Sequence, residues 1–341
     1  MPASSNYSYA KQRSNIMKNI PAKFIVLDDH YTQHYGYPLW CAHVLEKLRT
    51  NPPATAKDLI EQCAKYMHDK KNPAYREIFK QACAHEKIPP ILSAHEERIF
   101  GPASHKKFGS PMRKHKETFA TPIGRRGVGD WKEENFRGYL ATLEKNHPEW
   151  LHQGPKNPLE FFYPIPGTTR SLELMKIGRD IDLYSGEDLE RITPFPQERS
   201  KRSKIPHQIY FKHPSLQGTA YKDLISCLDP LHDIIFGEQS TKDEKVDSFI
   251  TFYWLVAQTT PVYRGGSAHS RIILEYLASE AGLELPYVKK ECDLWAEAAS
   301  TDLGQFRASF KEGLFFDWHL TGKAILAWQS ERLTHYNDLR R

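Results

Sequence analysis

The residues best suited to chemistry lie in one short segment, residues 259–271, which reads TTPVYRGGSAHSR. Gly265 and Gly266 permit a tight turn with positive φ and present consecutive backbone N–H groups, and Ser267 is placed to cap a following helix. The N-terminus of a helix carries a partial positive charge. This turn therefore has the elements of a phosphate-binding or other anion-binding site.

Three charged or titratable side chains accompany the turn. Arg264 precedes it and Arg271 lies one helical turn beyond the cap, so both could add charge-assisted hydrogen bonds to a phosphate. His269, with an ordinary pKa of about 6.5, would suit a base or a phosphate partner. A simpler interpretation stays open, in which Gly-Gly-Ser is only a helix–helix turn, both arginines lie on the surface and His269 has no function.

Hydrophobic periodicity predicts a helix on each side of this segment. Residues 245–258 are apolar nearly all round, which is typical of a central buried helix, and residues 267–281 form the second helix, ending at Gly282. The same reasoning predicts further helices, over two pieces of 39–67 and over 75–85, 133–145, 170–183, 221–236, 288–299 and 303–314. Residues 100–135 lack periodicity and are expected to form a long loop or a domain junction.

A short β-prone run lies upstream of the turn. Ile209, Tyr210 and Phe211 stand between prolines, and this pattern favours a hairpin or flap over a helix. His207 and His213 flank the run and are weaker candidates for the same roles as His269.

The turn and its surroundings resemble the Fic domain of the Fido superfamily. The Fic motif H-P-F-x-[D/E]-G-N-G-R-x-x-R, laid on residues 260–271, is matched at Pro261, Gly265 and Arg271. The β-prone run occupies the place of the family's flap. The segments RIILEYLASEAGLELPYV and CDLWAEAASTDLGQFRASFKE are similar to the helices that complete the Fic core.

This resemblance implies a mainly α fold, with a Fido-like helical core, a small β-hairpin flap and an N-terminal helical region. The expected organisation is a flexible N-terminus, an N-terminal helical region of unknown role, a Fic/Fido-like domain and a C-terminal tail, over residues 1–20, 21–150, 151–325 and 326–341.

The departures from the motif bear directly on chemistry. Thr260 stands where Fic enzymes carry the histidine that acts as general base, and a threonine hydroxyl cannot accept a proton near neutral pH. Arg264 replaces the acidic residue that binds magnesium, and Ala268 replaces the first motif arginine. Transfer of AMP by the ordinary route is therefore disfavoured, and no metal ligands are assigned.

Three functions remain open on these grounds. The first is a Fido-type transferase that takes a nucleotide-containing donor, such as a nucleotide sugar, without magnesium and modifies a hydroxyl of a protein target. The second is an inactive Fic-like module that binds a protein partner or an anion, and the third is a divergent AMP transferase. The residues assigned are Thr260 and His269 for catalysis, Arg264, Gly265, Gly266, Ser267 and Arg271 for the nucleotide phosphates, and Ile209, Tyr210 and Phe211 for the target.

Composition and charge limit the compartments and partners expected for the protein. No apolar run reaches the length of about eighteen residues that a membrane-spanning helix needs. The five cysteines are scattered and favour reduced thiols, as in a cytoplasmic protein. The absence of a recognisable secretion signal is also compatible with an effector delivered into a host cell. The net charge of +5 is small, so a nucleic-acid partner is not expected. The basic cluster within residues 105–126 is predicted to be a solvated loop, with phosphate-rich ligands or acidic partners as the alternative.

Overall fold

The computed structural model describes residues 44–67, 112–113, 119–123, 145–148, 157–179, 209–262, 265–280, 285, 287–288 and 292–317. The predictions for residues 1–20, for the helix over 75–85 and for the tail 326–341 lie outside these residues, as does nearly all of the helix predicted over 133–145. Within the described residues the protein is mainly helical, as predicted.

Within the described residues there are six longer helices, and residues 44–50 and 145–146 are helical as well. The helices are α1 (Ala56–Met67), α2 (Ala220–Phe236), α3 (Lys242–Thr259), α4 (Gly266–Glu280), α5 (Leu294–Ser300) and α6 (Leu303–Lys311). The strands are β1 (Phe119–Ile123), β2 (Leu159–Pro164), β3 (Ser171–Arg179), β4 (Ile209–His213), β5 (Tyr287–Val288) and β6 (Phe316–Asp317).

The described chain divides into two compact units. One contains residues 112–270 and 291–314, and the other contains residues 271–290 together with the chain before 112 and after 314. The division falls within α4, between Ser270 and Arg271. The domain junction expected near residue 150 is a separate matter and stays a prediction.

Helix α3 forms the centre of the first unit. Its residues are buried without interruption from Ser248 to Thr259, as the apolar pattern predicted. Helix α2 packs along it, and α5 and α6 contact it as well. Trp254 illustrates this packing, because its side chain is buried and its indole Nε1 donates to the carbonyl of Thr301 at 3.0 Å.

An antiparallel sheet in the order β1-β4-β3-β2 accompanies these helices. The strand predicted at residues 209–211 is confirmed as β4, but the expected two-stranded flap is wrong, because β4 pairs with β1 on one side and with β3 on the other. Ile177 of β3 and Phe211 of β4 lie opposite each other and are fully buried, and Phe211 packs edge-on against Trp295 with ring centroids 5.5 Å apart.

The helix predicted over residues 170–183 is also wrong, since Ser171–Arg179 is strand β3. The spacing of its apolar residues fits both periods, but Leu172 and Leu174 are buried while Ser171 and Glu173 are exposed, which is the alternation of a strand. Pairing with β2 and β4 satisfies the backbone on both sides and decides between the two structures.

Strand β1 corrects a further expectation, because it lies inside residues 100–135, which were predicted to form a loop. Pro122 lies within this strand, opposite Tyr210 of β4. A proline is tolerated there because β1 lies at the edge of the sheet, among the strands described.

The second unit is described by its own elements. It contains α1 and a small antiparallel sheet, in which Tyr287 of β5 pairs with Asp317 of β6. Among the helices described in either unit, none combines the length and apolar character needed to cross a membrane.

The start of α3 generates a stability prediction. Thr241 forms a capping box, in which its hydroxyl accepts from the backbone N–H of Glu244 and the Glu244 carboxylate accepts from the backbone N–H of Thr241. Replacing Thr241 by Ala should lower the free energy of unfolding by about 1 kcal/mol in urea titrations, since a helix N–H loses its acceptor. Thr219 precedes α2 without a side-chain capping bond, so Thr219→Ala is the matched control and should change stability much less.

Candidate functional site

The site predicted around residues 259–271 is centred on the junction between α3 and α4. Helix α3 ends at Thr259, and Thr260 adopts a left-handed conformation with φ 42° and ψ 72°. Such a conformation is unfavourable for a β-branched residue and persists only where surrounding interactions enforce it. Two bonds do so here: the Thr260 N–H donates to the carbonyl of Val256 at 2.8 Å, and its hydroxyl donates to the carbonyl of Ala257 at 2.9 Å.

The two glycines serve this junction in different ways. Gly265 has φ +69°, the conformation expected of it, and its carbonyl accepts from the N–H of His269 at 2.7 Å. Gly266 is instead the first residue of α4, and a Cβ atom there would collide with the γ-methyl of Thr260. Position 266 therefore needs glycine because the side chain of Thr260 packs directly against its backbone.

Ser267 was predicted to cap α4. The helix already begins at Gly266, so Ser267 lies inside the first turn, where it is buried. Its carbonyl accepts from the hydroxyl of Ser270 at 2.9 Å.

Arg113 reaches this junction from the basic cluster that was predicted to be solvated. The prediction is wrong for this residue, whose side chain is fully buried. Its Nη1 donates to the carbonyls of Thr259 and Thr260, both at 2.8 Å, and its Nη2 donates to the carbonyl of Pro214 at 2.7 Å. A cation at this place also opposes the negative end of the α3 dipole.

The backbone beside Arg113 pairs with the chain after α3. The Arg113 N–H donates to the carbonyl of Pro261 at 2.8 Å, and Met112 forms an antiparallel bridge with Val262. Residues 112–113 thus accompany the first part of the predicted phosphate-binding segment. Nothing in the local sequence distinguishes Arg113 from its basic neighbours, which is why sequence reasoning missed it.

Arg271, the second predicted phosphate ligand, lies in the other unit and is buried. Its Nη2 is 2.6 Å from Oε1 of Glu275, one helical turn along α4. Burial raises the pKa of Glu275, whereas the positive charge of Arg271 lowers it. The 2.6 Å contact indicates that the guanidinium is engaged within its own helix. Arg264 and Tyr263 lie outside the described residues.

Two of the three candidate histidines, His213 and His269, lie within the described residues, and both are buried. His269 is fully buried in the first turns of α4, and His207 lies outside the described residues. His213 ends β4, is buried, and has its ring 6.1 Å from that of Trp295. Burial, assisted by the positive charge of Arg113, holds the pKa of His213 well below its usual value, so the ring is neutral at physiological pH.

The prediction that Ile209, Tyr210 and Phe211 bind a target is wrong for Phe211. Phe211 is fully buried against Trp295 and cannot contact a target. The backbone of Ile209 and Tyr210 pairs with β1 on one side and with β3 on the other, so a target peptide cannot add to β4 as a further strand.

One buried carboxylate was also missed by the sequence reasoning. Glu297 of α5 is buried, and its two oxygens accept from Lys145 Nζ at 3.1 Å and from Asn146 Nδ2 at 2.7 Å. These partners satisfy the carboxylate and indicate a structural role. Among the described residues, His, Cys, Asp and Glu side chains form no group of three that could hold a metal ion.

The site therefore brings together Thr260, Gly265, Gly266, Ser267 and Arg113 around the junction. Comparison with models of known protein families finds no match to this chain. Comparison with curated proteins finds none either.

The contact between Thr260 and Gly266 can be tested with a double variant, in which we expect non-additive effects on stability. Gly266→Ala should lower the free energy of unfolding by about 1–3 kcal/mol, because the new methyl overlaps the γ-methyl of Thr260. Thr260→Ser removes that γ-methyl and keeps the hydroxyl. In the double variant the Ala substitution should therefore cost less than it does alone, as measured by urea denaturation, whereas additive effects would contradict the contact.

His213 generates a prediction on pH. Its folded-state pKa is depressed, so the unfolded chain binds the proton more tightly and stability must fall as pH drops below the unfolded pKa of about 6.5. The fall should approach about 1.4 kcal/mol per pH unit until the folded-state pKa is reached. Denaturation at about pH 7 and about pH 5.5 should show a smaller loss for His213→Gln than for the unmodified protein, and equal losses would contradict the assignment.

Proposed function

We propose that this chain is a Fido-like protein that does not carry out the family's histidine-dependent transfer and acts as a binding module for a protein partner. The observation that carries the proposal is the state of Thr260. This residue stands at the position of the family's general base, and its hydroxyl donates to the carbonyl of Ala257 at 2.9 Å.

The chemistry of transfer makes this observation decisive for the proposal. A general base must accept a proton from the target hydroxyl near neutral pH, within hydrogen-bond reach of it. The Thr260 hydroxyl has no such basicity, and the residue is only 5% exposed. Its γ-methyl packs against Gly266, so the whole side chain serves the junction between α3 and α4.

The state of Arg271 supports the same proposal. A phosphate clamp needs an arginine whose N–H groups can turn toward the ligand. The guanidinium of Arg271 instead contacts the carboxylate of Glu275 at 2.6 Å, and Arg271 is buried. Using it as a clamp would require breaking this ion pair and leaving the largely buried carboxylate of Glu275 without its bonded arginine, which is unfavourable.

A nucleotide-dependent transferase is the second candidate, and one observation favours it. Gly265 and Gly266 are partly exposed at the N-terminus of α4, a helix of 15 residues. Phosphate groups bind favourably at such a terminus because backbone N–H groups and the helix dipole both attract negative charge. The donor would then be a nucleotide sugar or a similar compound bound without magnesium. Divergent AMP transfer is the less favoured form of this candidate, since Thr260 offers no base.

Calorimetry separates the two candidates. UDP-glucose and ATP are titrated into the full chain with and without magnesium, and the binding module predicts no saturable heat with either compound. The control is a matched pair at position 265, where Asp and Asn both tolerate a left-handed backbone but only Asp repels an anion. Saturable binding that Gly265→Asp abolishes and Gly265→Asn preserves would contradict the proposal and establish the nucleotide-binding candidate.

A further inference from the structure

We propose that Arg113 is a positioning residue that couples strand β4 to the α3–α4 junction, so that the two elements loosen together when its guanidinium is removed. The inference concerns the conformation of the junction and does not rest on the proposed function.

The end of α3 depends on donors from outside the helix. The last carbonyls of a helix have no partner within the helix and must find donors elsewhere when they are buried. The carbonyls of Thr259 and Thr260 are in this position, and the Nη1 of Arg113 donates to both at 2.8 Å. Thr259 and Thr260 are both buried, so water does not readily replace this donor.

The end of β4 binds the same guanidinium. Pro214 follows the last residue of this strand and is buried, and its carbonyl accepts from Nη2 of the same guanidinium at 2.7 Å. The guanidinium is planar and rigid, so its Nη1 and Nη2 fix the directions of these bonds relative to one another. One side chain therefore connects the end of a strand with the end of a helix.

The backbone of residue 113 also contacts the junction. Its N–H donates to the carbonyl of Pro261 at 2.8 Å, beside the bridge between Met112 and Val262. Hence side chain and backbone act on consecutive residues of the junction. Through Thr260 this constraint reaches Gly266, because the γ-methyl of Thr260 determines how closely the start of α4 approaches.

Hydrogen–deuterium exchange followed by mass spectrometry tests the coupling in Arg113→Met. Exchange should rise by about tenfold or more, which corresponds to the loss of one charge-assisted hydrogen bond, in peptides covering residues 209–216 and 258–269 together. Peptides from α2 should keep their exchange rates. A rise in only one of the two regions, or an equal rise in α2, would overturn the proposal.

Two further measurements distinguish positioning from general destabilisation. Arg307→Met is the matched control, because Arg307 also donates through Nη2, to the hydroxyl of Thr251 at 2.7 Å, in the same unit. It should leave both reporter regions unchanged, and the same joint rise would contradict the assignment to Arg113. Methylguanidinium added to an Arg113→Ala variant should slow exchange in both regions, whereas slowing in one region alone would contradict the coupling.

Arg113→Lys keeps the test decisive if the Met variant does not fold. Lysine retains the charge at the end of α3 but offers a single ammonium in place of the planar fork. Exchange in both reporter regions should rise together relative to the unmodified protein, because the single ammonium cannot make all the bonds of the fork. Unchanged exchange in both regions would show that the charge alone suffices and would overturn the role of the fork.

Discussion

The end of helix α3 lies in the interior of the protein, and its carbonyl groups need donors that water cannot supply there. The guanidinium of Arg113 and the N–H and hydroxyl of Thr260 supply these donors. The N–H of Arg113 adds a bond to the carbonyl of Pro261, just beyond the helix. The arrangement holds Thr260 in a left-handed conformation that its branched side chain would otherwise avoid. Position 266 must be glycine as a consequence, since the γ-methyl of Thr260 leaves no room for a side chain at the start of α4.

This constraint changes how the polar residues of the junction are understood. From the sequence, Thr260 and Arg271 were expected to be parts of a catalytic centre, because they align with the base and a phosphate clamp of the Fic motif, and Ser267 was expected to cap the following helix. In the structure each of them is buried, and Thr260 and Arg271 have internal acceptors at short distance. A buried polar group must be satisfied by partners to be tolerated at all. The internal bonds of Thr260 stabilise the α3–α4 junction, and the contact of Arg271 with Glu275 lies within α4 itself.

The sequence was sufficient for the long helices but not for the sheet. Helices α2, α3 and α4 were predicted because periodicity over many residues is a local property, and in α3 the nearly continuous apolar surface also predicted burial. Strand β4 was found from its composition, yet its pairing was not, since Ile209 pairs with Ile123 far away in the chain. Strand β3 was mistaken for a helix because only its pairing partners distinguish the two periods. In the candidate site, the positive φ of Gly265 was predictable from residue type, whereas the burial of Arg113 depends on contacts that no local pattern encodes.

The central claim is that the hydroxyl of Thr260 serves the structure. Thr260→Val tests it directly, because valine keeps the branched shape and the methyl that meets Gly266 but removes the donor to the Ala257 carbonyl. The free energy of unfolding, measured by urea denaturation of the full chain, should fall by about 1–3 kcal/mol, as expected when a buried acceptor loses its donor. A variant as stable as the unmodified protein would show that this hydroxyl is dispensable for the fold, and would contradict the account.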